Sequence, residues 1–171
     1  MKKLIVIITC ITLLTAVLVG CTGGNSNNSA VTPVKNIPGE LSDIVKKIYD
    51  NLDDSVQIPP VMNEELTKEG TRFNTSIEYF IGSKDIPFKE GLVSEAAIGA
   101  HAYSLVLLRM EPNADIEAAK KTIKDNVDPR KWICVGVDPG DVIVDNIGDL
   151  LILIMSESSK ELHEAFMKLA D

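Results

Sequence analysis

The sequence predicts an α+β fold, with an antiparallel sheet built from two β-hairpins and helices packed on its face. Three observations lead to this prediction. Pairs of apolar, strand-like segments alternate with amphipathic helical segments along the chain. Residues 150–155 are apolar without interruption, as in a strand buried inside a sheet. Apolar residues make up 45% and charged residues 25% of the 171 residues, an ordinary composition for one globular domain.

Helical spacing predicts the first element, a helix over residues 40–52. Its apolar stripe consists of Leu41, Ile44, Val45, Ile48 and Leu52. The next segment, residues 63–82, is ambiguous, because the apolar residues from Ile77 to Ile81 alternate as in a strand. Gly82, however, suits the end of a short helix, which is the interpretation we favour.

Two hairpins follow. Residues 92–98 and 102–110 form the first, and apolar side chains on both faces of its second strand predict that this strand is covered on both sides. Residues 142–144 and 150–155 form the second, around a turn at residues 146–149. An amphipathic helix follows each hairpin. The two apolar stripes are Ile116, Ala119, Ile123 and Val127, and Leu162, Ala165, Phe166 and Leu169.

The first 20 residues have the pattern of a secretory signal, with Lys2 and Lys3 before an apolar run over residues 4–19. That run is near the short limit for a membrane-spanning helix. It ends in a sequence that resembles the lipobox of bacterial lipoproteins, namely Leu18, Val19, Gly20 and Cys21. In those proteins the signal is cleaved between the residues equivalent to Gly20 and Cys21, and the cysteine carries a diacylglyceryl group. The alternative is an ordinary membrane anchor with a chance cysteine.

Residues 22–38 are rich in glycine, asparagine, serine and threonine and cannot bury enough apolar surface to fold. They therefore predict a disordered tether between a lipidated Cys21 and a single globular domain over residues 39–171. Two acyl chains suffice for stable membrane attachment. The sequence thus predicts a protein held on the extracytoplasmic face of the cell membrane through Cys21.

Charge and cysteine content restrict the partners further. The chain has a formal net charge of −8, and loss of the two signal lysines leaves 15 basic against 25 acidic residues, a net charge of −10. We expect no nucleic acid as a partner, because nucleic acid attracts basic surfaces. Cys10 leaves with the signal and Cys21 is lipidated, so Cys134 has no intramolecular disulfide partner. The nearby cations Arg130 and Lys131 could make its thiol reactive, but its apolar neighbours favour a buried thiol, which is our prediction.

Four segments together resemble one bacterial family: residues 94–98, 103–110, 128–132 and 145–155. They resemble the lipoprotein domain known as domain of unknown function 4358, over about residues 60–170. Members of that family are chiefly small envelope lipoproteins of Gram-positive anaerobes that also carry a lipobox and a polar tether. The resemblance implies export and a continuous fold. It carries over no catalytic residue, because no activity is established for the family.

The sequence contains no complete catalytic or metal-binding motif. His163 and Glu164 begin like a zinc-protease helix, but Met167 stands where the second histidine of H-E-x-x-H is required. We therefore expect no metal and no cofactor. His101 lies between two alanines at the approach to a buried strand, and we expect it to be a partly buried structural residue.

Two groups of residues are candidates for interaction. Arg130 and Trp132 are residue types that dominate protein recognition, although Trp132 could instead close the core, which we favour. Aspartates around the second hairpin, with Asp145 and Asp149 as candidate contacts, could hold calcium, although turns select the same residue type. The full rim is Asp138, Asp141, Asp145 and Asp149.

These features favour a noncatalytic, lipid-anchored envelope protein whose domain binds another extracytoplasmic protein or a cell-wall component. One alternative is a binding module for a small ligand or a cation on the acidic rim. Another alternative is an envelope enzyme, in which His101 and nearby acidic residues would line a cleft.

Overall fold

A computed structural model describes residues 36–171 of the chain. The predicted signal, the lipobox and most of the predicted tether lie outside the described residues. The described part contains one five-stranded antiparallel sheet and four α-helices, which confirms the predicted α+β class. None of the helices in this part is long and apolar enough to cross a membrane.

The elements follow one another in this order: α1 (Leu41–Asp50), β1 (Val61–Glu65), α2 (Ile77–Ile81), β2 (Phe88–Ala96), β3 (Ser104–Met110), α3 (Ile116–Asn126), β4 (Val142–Ile147), β5 (Leu150–Met155) and α4 (Ser159–Met167). Short 3-10 helices lie at Pro139–Asp141 and Lys168–Ala170. The strand order is β1-β2-β3-β5-β4, and every neighbouring pair is antiparallel. The apolar strand β5 therefore lies inside the sheet, as its sequence predicts.

Helices cover both faces of the sheet. Successive residues of a strand point to opposite faces, so Leu105 and Leu107 face one layer while Val106 and Leu108 face the other. The first pair packs with α1 and α4, and the second packs with α2 and α3. Both sets of side chains are fully buried, which explains why the central strands are apolar on both faces.

Strand β1 is an element that the sequence analysis did not predict. It has only five residues and lies at the edge of the sheet, where three of its side chains are exposed. A strand exposed on its open side does not show the regular apolar alternation by which strands are found. The short helix favoured for the ambiguous segment is confirmed as α2, and Gly82 ends it in the left-handed conformation, with a φ of +74°.

Arg109 fixes the point at which the chain enters the domain. Its guanidinium donates hydrogen bonds to the carbonyl of Ile37 at 2.9 Å and to the carbonyl of Gly39 at 2.8 Å. The Oδ1 atom of Asn36 accepts a hydrogen bond from the backbone N–H of Asp149. The segment before α1 therefore lies against the β4–β5 turn, at one end of the sheet.

Candidate functional site

The segment between α3 and β4, residues 128–138, covers the opposite end of the sheet and is held there by Lys131. The side chain of Lys131 is only 2% exposed. Its ammonium donates a hydrogen bond to the carboxylate of Glu95 on β2 and another, at 3.3 Å, to the hydroxyl of Ser104 on β3. Glu95 and Ser104 lie opposite each other in the β2–β3 ladder. One lysine thus ties the segment to two adjacent strands.

Three aromatic rings surround the same ammonium group. The Nζ atom of Lys131 lies 4.5 Å from the ring centre of Tyr79 and 5.2 Å from those of Phe80 and Trp132. At these distances the faces of the rings attract a cation. Tyr79 and Phe80 belong to α2, so Lys131 also joins this helix to the segment.

The electrostatic surroundings of Lys131 suit a structural role, in which it holds residues 128–138 against the sheet. Burial lowers the pKa of Lys131, while the negative charge of Glu95 acts in the opposite direction. Burial and the charge of Glu95 both raise the pKa of Tyr79. Because the Lys131 ammonium is enclosed and paired, it can hold the segment in place but is not presented to a substrate.

The anchored segment presents a mixed surface. Arg130 is exposed, Trp132 is half-buried against the α2–α3 core, and the side chain of Ile133 is 86% exposed. Arg130 and Trp132 also line an open cavity of about 580 Å³ that continues along the segment to Pro139. Trp132 therefore contacts the core and the cavity at the same time.

The prediction that Cys134 is buried is wrong, because its side chain is exposed. The backbone of Cys134 has a φ of +66°, which places it in the left-handed region. A residue in this conformation turns the chain, and residues 132–135 consequently form part of a loop and not of a strand. The apolar composition of this run misled the prediction, because composition does not reveal the turn.

A second cavity, of about 490 Å³, adjoins the first. His101, Glu157 and Ser158 are among its lining residues. The prediction of a partly buried His101 is wrong, since this residue lies in the exposed turn between β2 and β3. Within residues 36–171, no side chain makes a hydrogen bond to the His101 ring.

The acidic rim does not converge on one point. The carboxylate of Asp145 accepts hydrogen bonds from Lys120 at 3.1 Å and is joined to Nε2 of His163 at 2.8 Å. Asp149 lies 3.6 Å from the guanidinium of Arg109, at the far end of the hairpin. Across the described part of the chain, no three His, Cys, Asp or Glu side chains are grouped as metal ligands.

The surroundings of Asp145 favour its charged form. Burial alone would raise the pKa of Asp145, but hydrogen bonds from His163, Lys120 and the backbone N–H of Asn146 together lower it. The side chain is about one-third exposed. This carboxylate therefore serves as a bridge between α3 and α4.

The structure does not bring the four candidate contact residues together, and Asp145 lies in the middle of the β4–β5 ladder, opposite Ile152. Arg130 and Trp132 lie with Ser104 and the end of β5, whereas Asp149 lies at the start of β5. Six strand residues span about 20 Å. Arg130 and Trp132 are thus at the end of the sheet that is remote from the chain entry at Asn36, and Asp149 is beside that entry.

Sequence reasoning missed Lys131 and Glu95 because each resembles an ordinary surface charge when viewed locally. One signal could have identified them. Glu95 lies among mostly apolar residues in the predicted strand over residues 92–98, and a carboxylate that is partly buried there requires a cation or a donor. A lysine beside a tryptophan in the neighbouring loop was a suitable partner.

Comparisons with models of protein families, with curated proteins and with solved structures give no match for this chain. The resemblance to domain of unknown function 4358 therefore stays a prediction.

Proposed function

We propose that this chain is a lipid-anchored protein of the extracytoplasmic side of a bacterial envelope, and that its domain binds another envelope protein without catalysing a reaction. The anchor is supported by Leu18, Val19, Gly20 and Cys21 after an apolar signal. The resemblance to domain of unknown function 4358 points to the same location.

The single observation that carries the binding role is the presentation of Ile133. This apolar side chain is 86% exposed, beside Arg130 and Trp132, on a segment that Lys131 fixes to the sheet. A rigid segment loses little conformational entropy on association, and apolar contacts framed by arginine and tryptophan are typical of protein interfaces. An aliphatic side chain at the centre favours a protein over a cell-wall glycan.

The position of the segment also suits this role. The chain enters the domain at Asn36, beside Asp149, whereas Ile133 belongs to the opposite end of the sheet. A tether attached at the Asn36 end leaves the Ile133 end free to meet a partner.

Acylation is tested first, in a bacterium that processes lipoproteins. The full chain should incorporate labelled palmitate and fractionate with membranes, and Cys21→Ser should lose both properties. Cys134→Ser is the matched control and should keep both. Label retained by the Cys21→Ser chain would contradict the anchor.

Partner binding is tested by cross-linking in intact cells, followed by purification of the tagged, membrane-anchored chain. Ile133→Asp, and separately Arg130→Ala with Trp132→Ala, should remove a protein that co-purifies with the wild type. Met167→Asp changes another exposed apolar residue, on α4, and should retain that protein. Equal recovery from the Ile133→Asp and Met167→Asp chains would contradict the assignment, as would retention of glycan alone.

A further inference from the structure

Strand β1 has one edge that is free for hydrogen bonding. The N–H of Leu66 donates to the carbonyl of Gly91 at 2.9 Å, and the N–H of Ala97 donates to the carbonyl of Pro60 at 2.8 Å. In an antiparallel pair, residues that bond to the neighbouring strand alternate with residues whose N–H and C=O point away from it. The register of β1 with β2 therefore directs three residues outward, namely Val61, Asn63 and Glu65.

These outward groups have no partner in the described part of the chain. Strand β1 pairs with β2 alone, and no backbone or side-chain group of residues 36–171 bonds to the N–H of Val61, Asn63 or Glu65. Unpaired strand edges are templates for another strand, and proteins usually blunt them. Strand β1 is therefore available for pairing with a second polypeptide.

The surroundings of this edge are acidic. Two grooves of about 550 Å³ flank the strand, and Glu64, Glu65 and Glu69 line both of them. Arg72 neutralises Glu64 through a hydrogen bond of 2.8 Å. Glu65 and Glu69 make no ion pair with any other described residue. Two lysines, Lys68 and Lys89, line the first groove, but five glutamates outnumber them, and three glutamates outnumber Arg72 in the second, so both grooves keep a net negative charge.

Apolar side chains lie on one side of the same edge. Met62 and Phe73 are 45% and 65% exposed, and both line a small cleft of about 170 Å³ together with Tyr79. Because side chains of a strand alternate between its faces, an added strand would place every second residue near this cleft. Its remaining residues would lie on the face that carries Glu65.

We propose that β1 binds an extended segment of a partner protein as a sixth strand of the sheet, and that this segment alternates basic and apolar residues. Backbone hydrogen bonds supply the binding, the cleft at Met62 takes an apolar side chain, and Glu65 and Glu69 attract lysine or arginine. Pairing of β1 with a second copy would bring these carboxylates together, so like-charge repulsion disfavours a dimer. This surface is separate from Ile133, and the inference does not depend on the proposed function.

The test uses the full chain in a mild detergent and fluorescently labelled peptides that alternate lysine with valine. Fluorescence anisotropy should show saturable binding that weakens as salt is added. A peptide with glutamate in place of lysine should not bind. The lysine–valine peptide with N-methyl groups on the residues that face β1 should bind at least about tenfold more weakly, because it cannot donate to the strand.

Two variants at one position isolate the backbone contact. Asn63→Ala keeps the outward N–H and should bind the lysine–valine peptide as the wild type does. Asn63→Pro removes that N–H and should weaken binding at least about tenfold. Circular dichroism checks that both variants fold. If Asn63→Pro does not fold, the N-methylated peptide still tests the backbone contact.

Absence of binding to the wild type at millimolar peptide, or equal binding of the methylated and unmethylated peptides, would overturn the proposal. So would a dimer in sedimentation that Asn63→Pro dissociates, because β1 would then be occupied by a second copy.

Discussion

The two edge strands of the sheet, β1 and β4, differ in what covers their outward side. Strand β4 packs against both α3 and α4, and Lys120 donates to Asp145 and to the side chain of Asn146. The side chain of Asp145 also accepts from the N–H of Asn146. Strand β1 has β2 as its one strand neighbour within residues 36–171, and Arg72 donates to its Glu64 side chain, but none of its outward N–H groups has a partner there.

The path of Lys120 shows how the β4 edge is closed. Asp145 shares its strand face with Ile143 and Ile147, which pack in the α1–α4 layer. Lys120 belongs to α3, on the opposite face, so its side chain passes around the edge of β4 to reach Asp145. A charged side chain across an edge obstructs the approach of another strand. Within residues 36–171, the comparison therefore shows a charged side chain across the β4 edge and no partner for the outward N–H groups of β1.

The largest effect is expected at Glu95, next to the open edge. Glu95→Ala leaves the buried Lys131 ammonium without its carboxylate and should lower the free energy of unfolding by about 3–5 kcal/mol. Urea denaturation measures the change. The double substitution Glu95→Leu with Lys131→Met should restore most of the stability, because neither charge is then buried. A double variant as unstable as Glu95→Ala would show that the ion pair is not the cause.

A smaller loss is expected at the closed edge. Asp145→Ala removes the acceptor shared by Lys120 and His163, and should cost about 1–2 kcal/mol because all three side chains are partly exposed. Thermal and urea unfolding should therefore rank this variant between the wild type and Glu95→Ala. A loss of stability larger than that of Glu95→Ala would contradict this ranking of the two ion-paired carboxylates.

The closed edge should also respond to pH. The folded-state pKa of Asp145 lies below its ordinary value of 3.8, so its stabilising contribution is complete above that pH and is lost as the pH falls through the lower folded value. Asp145→Asn should remove this contribution, which we expect to be less than about 1 kcal/mol for a partly exposed group. Urea unfolding between pH 6 and pH 2 should show a shallower loss of stability for this variant. Parallel profiles for the two proteins would contradict the role of Asp145.

The smallest change in stability is expected at Asn63. Its N–H points away from β2, so Asn63→Pro should change the free energy of unfolding by no more than about 1 kcal/mol. Met62→Pro is the matched control, because the N–H of Met62 bonds to β2 and its loss should cost more. Equal losses for the two prolines would show that the assumed alternation along β1 is wrong.

Periodic apolar patterns carried most of the fold prediction. The stripes of α1, α3 and α4 and the apolar strands β3 and β5 were found because burial imposes a regular spacing on them. Strand β1 was missed because its exposure removes that spacing. The outward edge of β1 is exposed, and this exposure explains both why the sequence did not predict the strand and why the strand is a candidate for binding.

The candidate site was harder to predict because it depends on contacts between distant residues. Arg130 and Trp132 were selected by residue type, but the reason for their fixed position is the pairing of Lys131 with Glu95, 36 positions away in the chain. Cys134 was misplaced because a turn in the left-handed region overrides the apolar character of its neighbours. Charge pairs and turns of this kind have no local periodicity from which they could be inferred.

Amide hydrogen exchange, measured residue by residue in the full chain, tests the difference between the two edges most directly. The outward N–H of Asn63 has no protein partner among the described residues, whereas the N–H of Asn146 donates to Asp145 at 2.9 Å. We predict that Asn63 exchanges at nearly the rate of an unprotected peptide and that Asn146 is protected. The lysine–valine peptide should slow exchange at Asn63 and along the outward edge of β1, but not at Asn146. Strong protection of Asn63 in the free protein would mean that the β1 edge is already covered, and would contradict the account.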